Sequence, residues 1–580
     1  MDKPQAHPIA LWLRAALSGR DSLTLRTLLA VPIGLLAALA TTVFRLAIEQ
    51  TEHVLFGRDG DITELAAALP WYLCLLIPAA GGLVAALFLR WARQREQTDG
   101  QQDYMEAVSE GSGRIAPGST LLRSLSSLAS IASGGSIGRE GAMVQLAALT
   151  GSLSGSRWAE PALLRQMTAC GAAAGLASVY HAPLSGAIFV AEIVLGAISV
   201  DKLVPLFAAA VSASLLVGAL GSDDAPFALV SQAASINAAD WLLLAPMALL
   251  NGLAAPLFLR LLQAGKAAFR ATGLAPTWQM TLGGLLMGLI AVFVPQVCGN
   301  GYAPIIDILG GSSAALPLAL ILLAKVAATA CMVGSGAVGG IFTPSLFVGA
   351  ALGTLCAGMA AQWHWLAHPD TAQLAMIGMA AFMAAVSHAP LMATLMVFEM
   401  SMNASLLLPL MAACVMAYTV SRALQPASLY EVLNRRHSRQ TAVQAVVRHT
   451  MASLLEPAGD NLLPQHTLAQ ACAIFERSRT RYLYVVDEAG LLLGAVSMHR
   501  LAAYLQSNPG DAGQAVSLML EPDFPRLPKD AALDDAWQLF AGMPLERLPI
   551  VASIEHPQLL GVVTKRAILE QARAFRTLAS

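Results

Sequence analysis

The chain has 580 residues, of which 56% are hydrophobic and 12% are charged, and its formal net charge is −2 at pH 7. This composition is typical of a polytopic membrane protein and excludes a wholly soluble protein. The near-zero net charge offers no basic surface, so we expect no nucleic-acid partner.

The first 26 residues are polar and amphipathic, and we predict no cleavable signal peptide there. Two long apolar runs follow, at 28–48 and 69–89. The loop between them is mostly acidic, whereas arginines follow the second run at positions 90, 93 and 95. The positive-inside rule therefore predicts a cytoplasmic N-terminus and an external first loop.

The rest of the membrane region, which we place at 27–436, consists of apolar runs that glycine and proline interrupt. Broken helices are tolerated at membrane depth only where they line a cavity or are buried in protein. We therefore expect well over ten helical segments around a transport pathway. The main interruptions are 134–141, Pro183, Pro295, 299–301, 334–340, Pro344 and Pro390.

One interruption, G-G-S-I-G-R-E-G-A-M-V-Q at 134–145, carries two adjacent charges, Arg139 and Glu140, and a helical pattern follows it. The start of a helix offers free N–H groups and a positive dipole end, which attract anions. A carboxylate at this point can occupy the place of a soluble anion. The alternative is that the two charges pair and only fasten the bend.

An internal repeat divides the membrane region. The motif H-A-P-L occurs at 181–184 and at 388–391, and a glutamate lies eleven residues after each histidine, Glu192 and Glu399. A glycine-rich bend and a short helix precede both copies. Two related halves commonly enclose a ligand site near the middle of the membrane. We place these halves at about 70–220 and 240–430.

Charged residues are much denser at 441–580, which predicts a soluble domain after a basic stretch at 434–439. This domain contains two similar units, at about 448–506 and 516–577. In the first we predict a helix at 468–477 and strands at 481–487 and 492–497. In the second we predict strands at 547–551 and 559–564 between helices at 533–541 and 566–574. Each unit is too small to be stable alone, so we expect the two to pair.

The motifs G-R-E-G-A-M-V-Q, G-G-I-F-T-P and P-Q-V-C-G-N-G-Y, together with Tyr430, resemble the CLC family of chloride channels and proton–chloride antiporters, in particular its bacterial ClcB-type branch. The C-terminal units resemble a tandem pair of CBS domains. The resemblance implies an all-α polytopic membrane domain with two inverted repeat halves and broken helices. A cytoplasmic α/β tandem CBS domain would follow it.

The resemblance also implies functional roles. Glu140 would be the gate, because its carboxylate blocks the outer anion site until it is protonated or displaced. The protein would be a homodimer in the bacterial inner membrane, with both termini in the cytoplasm and one chloride pathway in each subunit. We expect no enzymatic activity, and hence no catalytic residue. The anion-binding residues would be Gly138, Arg139, Gly141, Ile341, Phe342 and Tyr430.

Two positions depart from the family pattern. The family's serine motif, G-S-G-I-P, precedes the gating motif by two helices, and we place its counterpart at 98–103 and not at the literal G-S-G of 111–113. The antiporters of the family carry an internal glutamate where this chain has Ile193. Glu192, one residue earlier, is therefore a possible member of a proton path.

Several residues have a structural interpretation as well as a functional one. His181 and His388 occupy equivalent places, which favours a structural role over proton transfer. The same equivalence favours helix capping for Glu192 and Glu399. Lys325 is an intramembrane charge that would pair with a glutamate or face a water-filled vestibule, and the sequence does not decide between these.

We expect no bound cofactor or metal. The seven cysteines are scattered without a C-x-x-C pair, so they indicate neither a disulfide framework nor a metal site. In nucleotide-binding CBS domains an aspartate closely follows the strand that ends G-x-x-T/S. The corresponding stretches here, 494–500 and 561–566, lack it, so we expect no tight adenine nucleotide binding.

The predicted function is passive, channel-like chloride transport. A proton-coupled chloride antiporter of the same fold is the alternative. An alternative of another class is a secondary transporter of an organic anion, which the scarcity of arginines at the broken helices disfavours. In a third alternative the CBS pair is a nucleotide sensor that controls the pore.

Overall fold

The structure is a computed structural model. It describes residues 22–58, 60–99, 103–109, 111–196, 198–221, 227, 241–311, 314–364, 370–430, 454–478, 480–531, 535–536, 539–540, 543 and 545–567. The chain divides into two compact units, Met1–Tyr430 and Glu431–Ser580. The basic stretch at 434–439, where the sequence places the junction, lies outside the described residues.

The first half of unit one is helical throughout its described elements. The chain enters most helices through a proline or an acidic residue, which suit the first helical turn. The helices are α1 (Ser22–Phe56), α2 (Ile62–Ala68), α3 (Trp71–Asp99), α4 (Tyr104–Ser109), α5 (Pro117–Ala132), α6 (Glu140–Gly155), α7 (Pro161–Tyr180), α8 (Pro183–Phe189), which a π-helical turn (Val190–Val194) continues, and α9 (Val200–Ala219).

The second half repeats this order. A glycine-rich bend, a helix, a connecting helix and the second H-A-P-L motif follow each other as in the first half. The helices are α10 (Trp241–Ala271), α11 (Pro276–Phe293), α12 (Tyr302–Leu309), α13 (Ala315–Ser335), α14 (Phe342–Gln362), α15 (Thr371–Ser387), α16 (Pro390–Ser401) and α17 (Leu407–Leu424). The many helical segments predicted from the sequence are confirmed.

Eight helices in the described parts of the chain are long and apolar enough to cross a membrane. The first two exceed the apolar runs that predict them, because polar residues extend α1 to 35 residues and α3 to 29. Shorter helices such as α8 and α16 start at broken positions inside the protein. The first N–H groups of each are accepted by a carboxylate from another part of the chain.

Small residues bring the helices of each half into close contact. Where α14 crosses α15, a Cβ at Gly349 would lie 2.7 Å from the Cα of Met379. Only glycine permits this approach, which is typical of helix packing in membranes. The helix that follows the second bend is therefore held firmly on its neighbour.

Unit two contains a repeated strand hairpin. In the first copy β1 (Tyr482–Val486) pairs antiparallel with β2 (Leu492–Ser497), between α18 (Leu468–Ser478) and α19 (Met498–Ser507). In the second copy β4 (Arg547–Val551) pairs antiparallel with β5 (Leu559–Thr564) and parallel with β3 (Leu527–Pro528). The predicted strands are confirmed, whereas most of the helices predicted at 533–541 and 566–574 lie outside the described residues.

The two copies contact each other through backbone hydrogen bonds. Leu492 donates its N–H to the Pro557 carbonyl at 2.8 Å, and Leu559 donates to the Gly490 carbonyl at 3.1 Å. Both hairpins also have a register shift at the same place, after Val485 and after Ile550. The two sequence units thus fold alike and pair, as their small size predicts.

Candidate anion site where the two halves meet

The two glycine-rich bends of unit one are joined by their backbones. Gly138 donates its N–H to the Gly340 carbonyl, and Gly340 donates to the Gly138 carbonyl, both at 2.7 Å. This isolated antiparallel bridge places the starts of α6 and α14 side by side. Two positive helix ends therefore converge on one point at the boundary between the halves.

The bridge corrects one detail of the predicted site. The sequence predicts Gly138 among the residues that bind an anion, but its N–H is already donated to Gly340. Gly138 instead allows a close approach, because a Cβ at this position would collide with the Glu140 carboxylate. Gly141 and Phe342 lie in the first turns of α6 and α14, where N–H groups have no partner inside the helix.

The Glu140 carboxylate occupies the point of convergence. Glu140 is the first residue of α6 and is only 3% exposed. Its Oε1 accepts a hydrogen bond from the Thr343 hydroxyl of the opposite half. Its Oε2 is buried and has no hydrogen-bond partner among the described residues. Burying a carboxylate oxygen without a hydrogen bond costs free energy, which the hydrogen bond to the other oxygen offsets only in part.

Arg139 does not fasten this carboxylate. It lies at the N-cap of α6 and makes no side-chain capping bond, and its Nε is buried with no partner in the described structure. Among the described residues the Glu140 side chain accepts a hydrogen bond from Thr343, and no direct bond to Arg139 is seen, which disfavours the alternative in which the two charges merely staple the bend.

Three residues beside Glu140 were missed by sequence reasoning. The Tyr180 hydroxyl lies 3.1 Å from the Thr343 hydroxyl, and the Tyr180 ring lies 5.2 Å from that of Phe342 and 6.5 Å from that of Tyr302. Signals for them exist, because Thr343 belongs to G-G-I-F-T-P, Tyr302 to C-G-N-G-Y, and Tyr180 directly precedes H-A-P-L. Their hydroxyls make the pathway wall polar without adding charge.

Tyr430 contacts the end of α8. Its ring is 5.9 Å from that of Phe189, the last residue of α8. Ile341, the N-cap of α14, is buried next to Phe342, and its role as an anion donor stays a prediction. Tyr430 as an anion ligand therefore stays a prediction.

The region of the missing serine motif is only partly described, since residues 100–102 fall outside it. Two helices, α4 and α5, lie between this region and Glu140. Tyr104, at the start of α4, donates its N–H to the Gln145 side-chain oxygen at 3.0 Å. The Gly113 carbonyl of the literal G-S-G accepts from two hydroxyls in the helices that follow, Ser152 and Thr168. That stretch anchors helices, and the placement at 98–103 stays a prediction.

The equivalent histidines have the same structural place in both halves. His181 and His388 are the C-caps of α7 and α15, in the left-handed conformation with φ of 55° and 59°. Histidine tolerates this conformation better than most residues. The shared left-handed conformation at the helix ends thus supports the structural interpretation of both histidines.

Lys325 has neither of the two roles considered from the sequence, which were a pair with a glutamate and a place at a water-filled vestibule. It is fully buried, and its Nζ donates to the carbonyls of Val297 and Gly299 at 2.9 and 2.8 Å. These carbonyls belong to the bend before α12. The lysine therefore satisfies backbone groups that the broken helix leaves open.

In the stretches that correspond to the nucleotide site of other CBS domains, polar side chains of unit two bind other parts of the protein. Arg500 Nη1 lies 2.7 Å from Glu521 Oε1, and the Thr564 hydroxyl donates to Glu456 Oε1 at 3.1 Å. Within the described residues, no group of three or more histidine, cysteine or acidic side chains is arranged to hold a metal ion.

Comparisons with known proteins agree with this geometry. Residues 80–422 match the family described as voltage gated chloride channel, and residues 462–507 and 516–573 match the CBS domain. A ClcB-like chloride channel protein of Ralstonia nicotianae is 44% identical over 404 residues, which cover 69% of this chain and 94% of that protein.

Two further matches are similar in extent. The voltage-gated ClC-type chloride channel ClcB of Escherichia coli is 39% identical over 416 residues, covering 71% of this chain and 99% of that protein. The crystal structure of a slow cyanobacterial Cl⁻/H⁺ antiporter matches with a TM-score of 0.62 at 24% identity, covering 71% of this chain and 97% of that one. At this identity the structural likeness shows the fold alone.

Proposed function

Because the chain belongs to the voltage-gated chloride channel family, we propose that it conducts chloride and similar small anions passively, through a pathway that Glu140 gates. Family membership confirms the resemblance seen in the motifs and makes the chain a multi-pass protein of anion transport. The observation that carries the gating proposal is the burial of the Glu140 carboxylate where the starts of α6 and α14 meet.

In this proposal the carboxylate acts as a tethered anion. It occupies the positive ends of two helices, which chloride would otherwise fill. When Glu140 leaves, chloride replaces it among backbone N–H groups and hydroxyls that bind without trapping. Protonation removes the negative charge and favours departure, since a neutral carboxyl gains less from the helix ends.

The preference for passive transport over proton coupling rests on two neighbouring residues. A proton route needs a titratable group near its inner end, because an uncompensated proton in a low dielectric is costly. Ile193 cannot hold a proton. The Glu192 carboxylate accepts hydrogen bonds from the backbone N–H groups of Leu391 and Met392, with N to O distances of 3.3 and 2.8 Å, so it caps α16.

The assembly and location are also proposals. We infer a homodimer with one pathway in each subunit, in a bacterial inner membrane, with both termini in the cytoplasm. Cysteine cross-linking and the mass of the protein in detergent test the dimer, and labelling of residues before α1 from either side tests the orientation. A monomeric mass in mild detergent, for protein that transports chloride once it is reconstituted into vesicles, would contradict the dimer.

The deciding experiment reconstitutes the full chain into sealed vesicles under a chloride gradient and records chloride and pH together. Chloride flux without proton movement, unchanged in Glu192→Gln, is the expected result. Steady uphill proton movement at a fixed chloride-to-proton ratio would establish the antiporter instead. Flux of an organic anion without chloride flux would favour the secondary transporter.

A further inference from the structure

Tyr180 is the last residue of α7 and stands directly before the first H-A-P-L motif. It is fully buried, as is Thr343 in the first turn of α14. The two hydroxyl oxygens lie 3.1 Å apart across the boundary between the halves. The Tyr180 ring packs on the Phe342 ring, with centroids 5.2 Å apart, so the Tyr180 hydroxyl is held at this place.

The direction of the hydrogen bond between Tyr180 and Thr343 follows from counting hydrogens. A threonine hydroxyl has one hydrogen to donate and lone pairs that accept. The Thr343 hydrogen is already donated to Glu140 Oε1. Tyr180 is therefore the donor to Thr343. The three side chains form a series of donors that runs from Tyr180 through Thr343 to the carboxylate, and we refer to it as the hydroxyl relay.

The orientation of the Thr343 hydroxyl needs a cause, because a hydroxyl in a helix has another acceptor available. Such a hydroxyl commonly donates to the backbone carbonyl one turn earlier. In the same helix, Ser345 donates to the Ile341 carbonyl in this way at 2.7 Å. A donor on the far side of the Thr343 oxygen occupies a lone pair and directs the hydrogen away from itself. It also polarises the hydroxyl, which strengthens the bond that the hydroxyl donates.

We propose that Tyr180 is a positioning residue for the gate, because its hydroxyl keeps the Thr343 hydrogen directed at the Glu140 carboxylate and so stabilises the resident state. This inference rests on the proposed function, in which the departure of Glu140 opens the pathway. It extends that function by assigning part of the stability of the closed state to a residue that acts through another.

A direct bond from Tyr180 to the carboxylate is the alternative to the hydroxyl relay. The Tyr180 hydroxyl is close enough to the Glu140 carboxylate to interact with it as well. Because of this, the test changes only the Tyr180 hydroxyl and compares its effect with and without Thr343. Among the described residues, the other titratable groups that interact with this carboxylate are Arg139, Tyr302 and Tyr430.

The first measurement follows the protonation of Glu140 without transport. Infrared spectra of the full chain in detergent are recorded over a pH series, and the carboxyl C=O band that Glu140→Gln removes reports the titration. Tyr180→Phe keeps the ring but deletes the donor, so the ionised form loses stabilisation and the midpoint should move about half a pH unit toward higher pH. Tyr72→Phe, at an exposed tyrosine of α3, is the matched control and should leave the midpoint unchanged.

A double variant decides whether Tyr180 acts through Thr343. In Tyr180→Phe/Thr343→Val the midpoint should equal that of Thr343→Val alone, because the relay is already broken there. A further shift in the double variant would show a direct bond from Tyr180 to Glu140 and overturn the relay. An unchanged midpoint in Tyr180→Phe would overturn it as well.

A tyrosine analogue at position 180 keeps the proposal testable if Tyr180→Phe does not fold, which thermal unfolding reveals. An ortho-fluorinated tyrosine retains the hydroxyl at nearly the same size and makes it a stronger donor. The midpoint should then move toward lower pH, and Thr343→Val should abolish this shift. No shift, or a shift toward higher pH, would contradict the relay.

Chloride flux from reconstituted vesicles connects the relay to the gate. Near neutral pH, Tyr180→Phe should raise the flux about threefold, the factor that corresponds to half a pH unit, and should add nothing to Thr343→Val. A shifted midpoint with unchanged flux would support the relay but contradict Glu140 as the gate. Absence of all chloride flux would contradict the proposed function and leave the infrared result to decide the relay.

Discussion

Glu192 and Glu399 occupy the same place in the two sequence repeats, and each caps the helix that belongs to the other repeat. The Glu399 carboxylate accepts the N–H groups of Leu184 and Ser185, both at 2.8 Å, and also the Ser185 hydroxyl. The Glu192 carboxylate accepts those of Leu391 and Met392 at 3.3 and 2.8 Å. The capping interpretation of both glutamates is confirmed.

This exchange explains why a glutamate recurs after each H-A-P-L motif. The motif starts a helix whose first N–H groups have no partner inside the helix. A carboxylate from the opposite half satisfies them and complements the positive helix end. The two halves thus hold each other through their helix starts.

Replacing either capping glutamate by glutamine should lower stability. The variant retains one acceptor oxygen but loses the charge, so we expect a loss of about 1 kcal/mol or more from hydrogen bonds to a charged group. Glu399→Gln should cost more than Glu192→Gln, because Glu399 has three donors and shorter bonds. Thermal unfolding in detergent measures both.

A suitable control is Glu160→Gln, because Glu160 stands at the N-cap of α7 without a side-chain capping bond. Equal unfolding temperatures for all three variants and the wild type would show that the exchanged caps contribute nothing.

Glu140→Gln should leave the candidate anion site open. The neutral amide no longer competes with chloride for the helix starts, so chloride flux should rise and lose most of its dependence on external pH. Reconstituted vesicles at a series of pH values measure this. Glu64→Gln, an exposed glutamate of α2, should keep the wild-type profile. If Glu140→Gln kept it as well, Glu140 would not be the gate.

Gly138→Ala should imitate part of this effect. The three atoms nearest to the added Cβ all belong to the Glu140 carboxylate, so the carboxylate must move. We expect a higher chloride flux at neutral pH than in the wild type. In the double variant Gly138→Ala/Glu140→Ala, the methyl group at position 138 should change the flux little beyond the effect of Glu140→Ala alone. Additive changes in flux would indicate a disturbance of the bridge to Gly340 instead.

Thr343→Val should weaken the resident state of Glu140. Removing the hydroxyl that donates to the carboxylate costs about 1.5–3 kcal/mol for a hydrogen bond to a charged group. That energy corresponds to a rise of at least about tenfold in the population without the resident carboxylate. Chloride flux near neutral pH is the readout, and Thr343→Ser, which keeps a hydroxyl, should remain close to the wild type. Lower flux in Thr343→Val would show that the hydroxyl serves chloride more than Glu140.

Unit two should not bind adenine nucleotides tightly. Arg500, in the helix after β2, and Thr564, at the end of β5, are bonded to Glu521 and Glu456, and no aspartate follows either strand to hold a ribose. Calorimetry with ATP and AMP on the full chain should show no saturable heat at micromolar concentrations. Tight binding of either nucleotide would reverse this prediction and revive the sensor alternative.

The sequence by itself determines where the helices break and that they break twice in the same way. Glycine-rich bends, H-A-P-L and the glutamate eleven residues after each histidine are local patterns, and at membrane depth each break must be satisfied by protein. The strands of unit two are likewise local, because five or six apolar residues between turn residues specify a strand almost alone.

Only the tertiary structure decides which groups satisfy those breaks. The partner of Gly138 is Gly340, the donor to Glu140 is Thr343, and the two capping glutamates exchange halves. Each of these pairs is separated by about 200 positions, so no local pattern specifies it. Backbone groups beside a break accept any donor or acceptor of suitable geometry, and the packing of the two halves selects which one arrives.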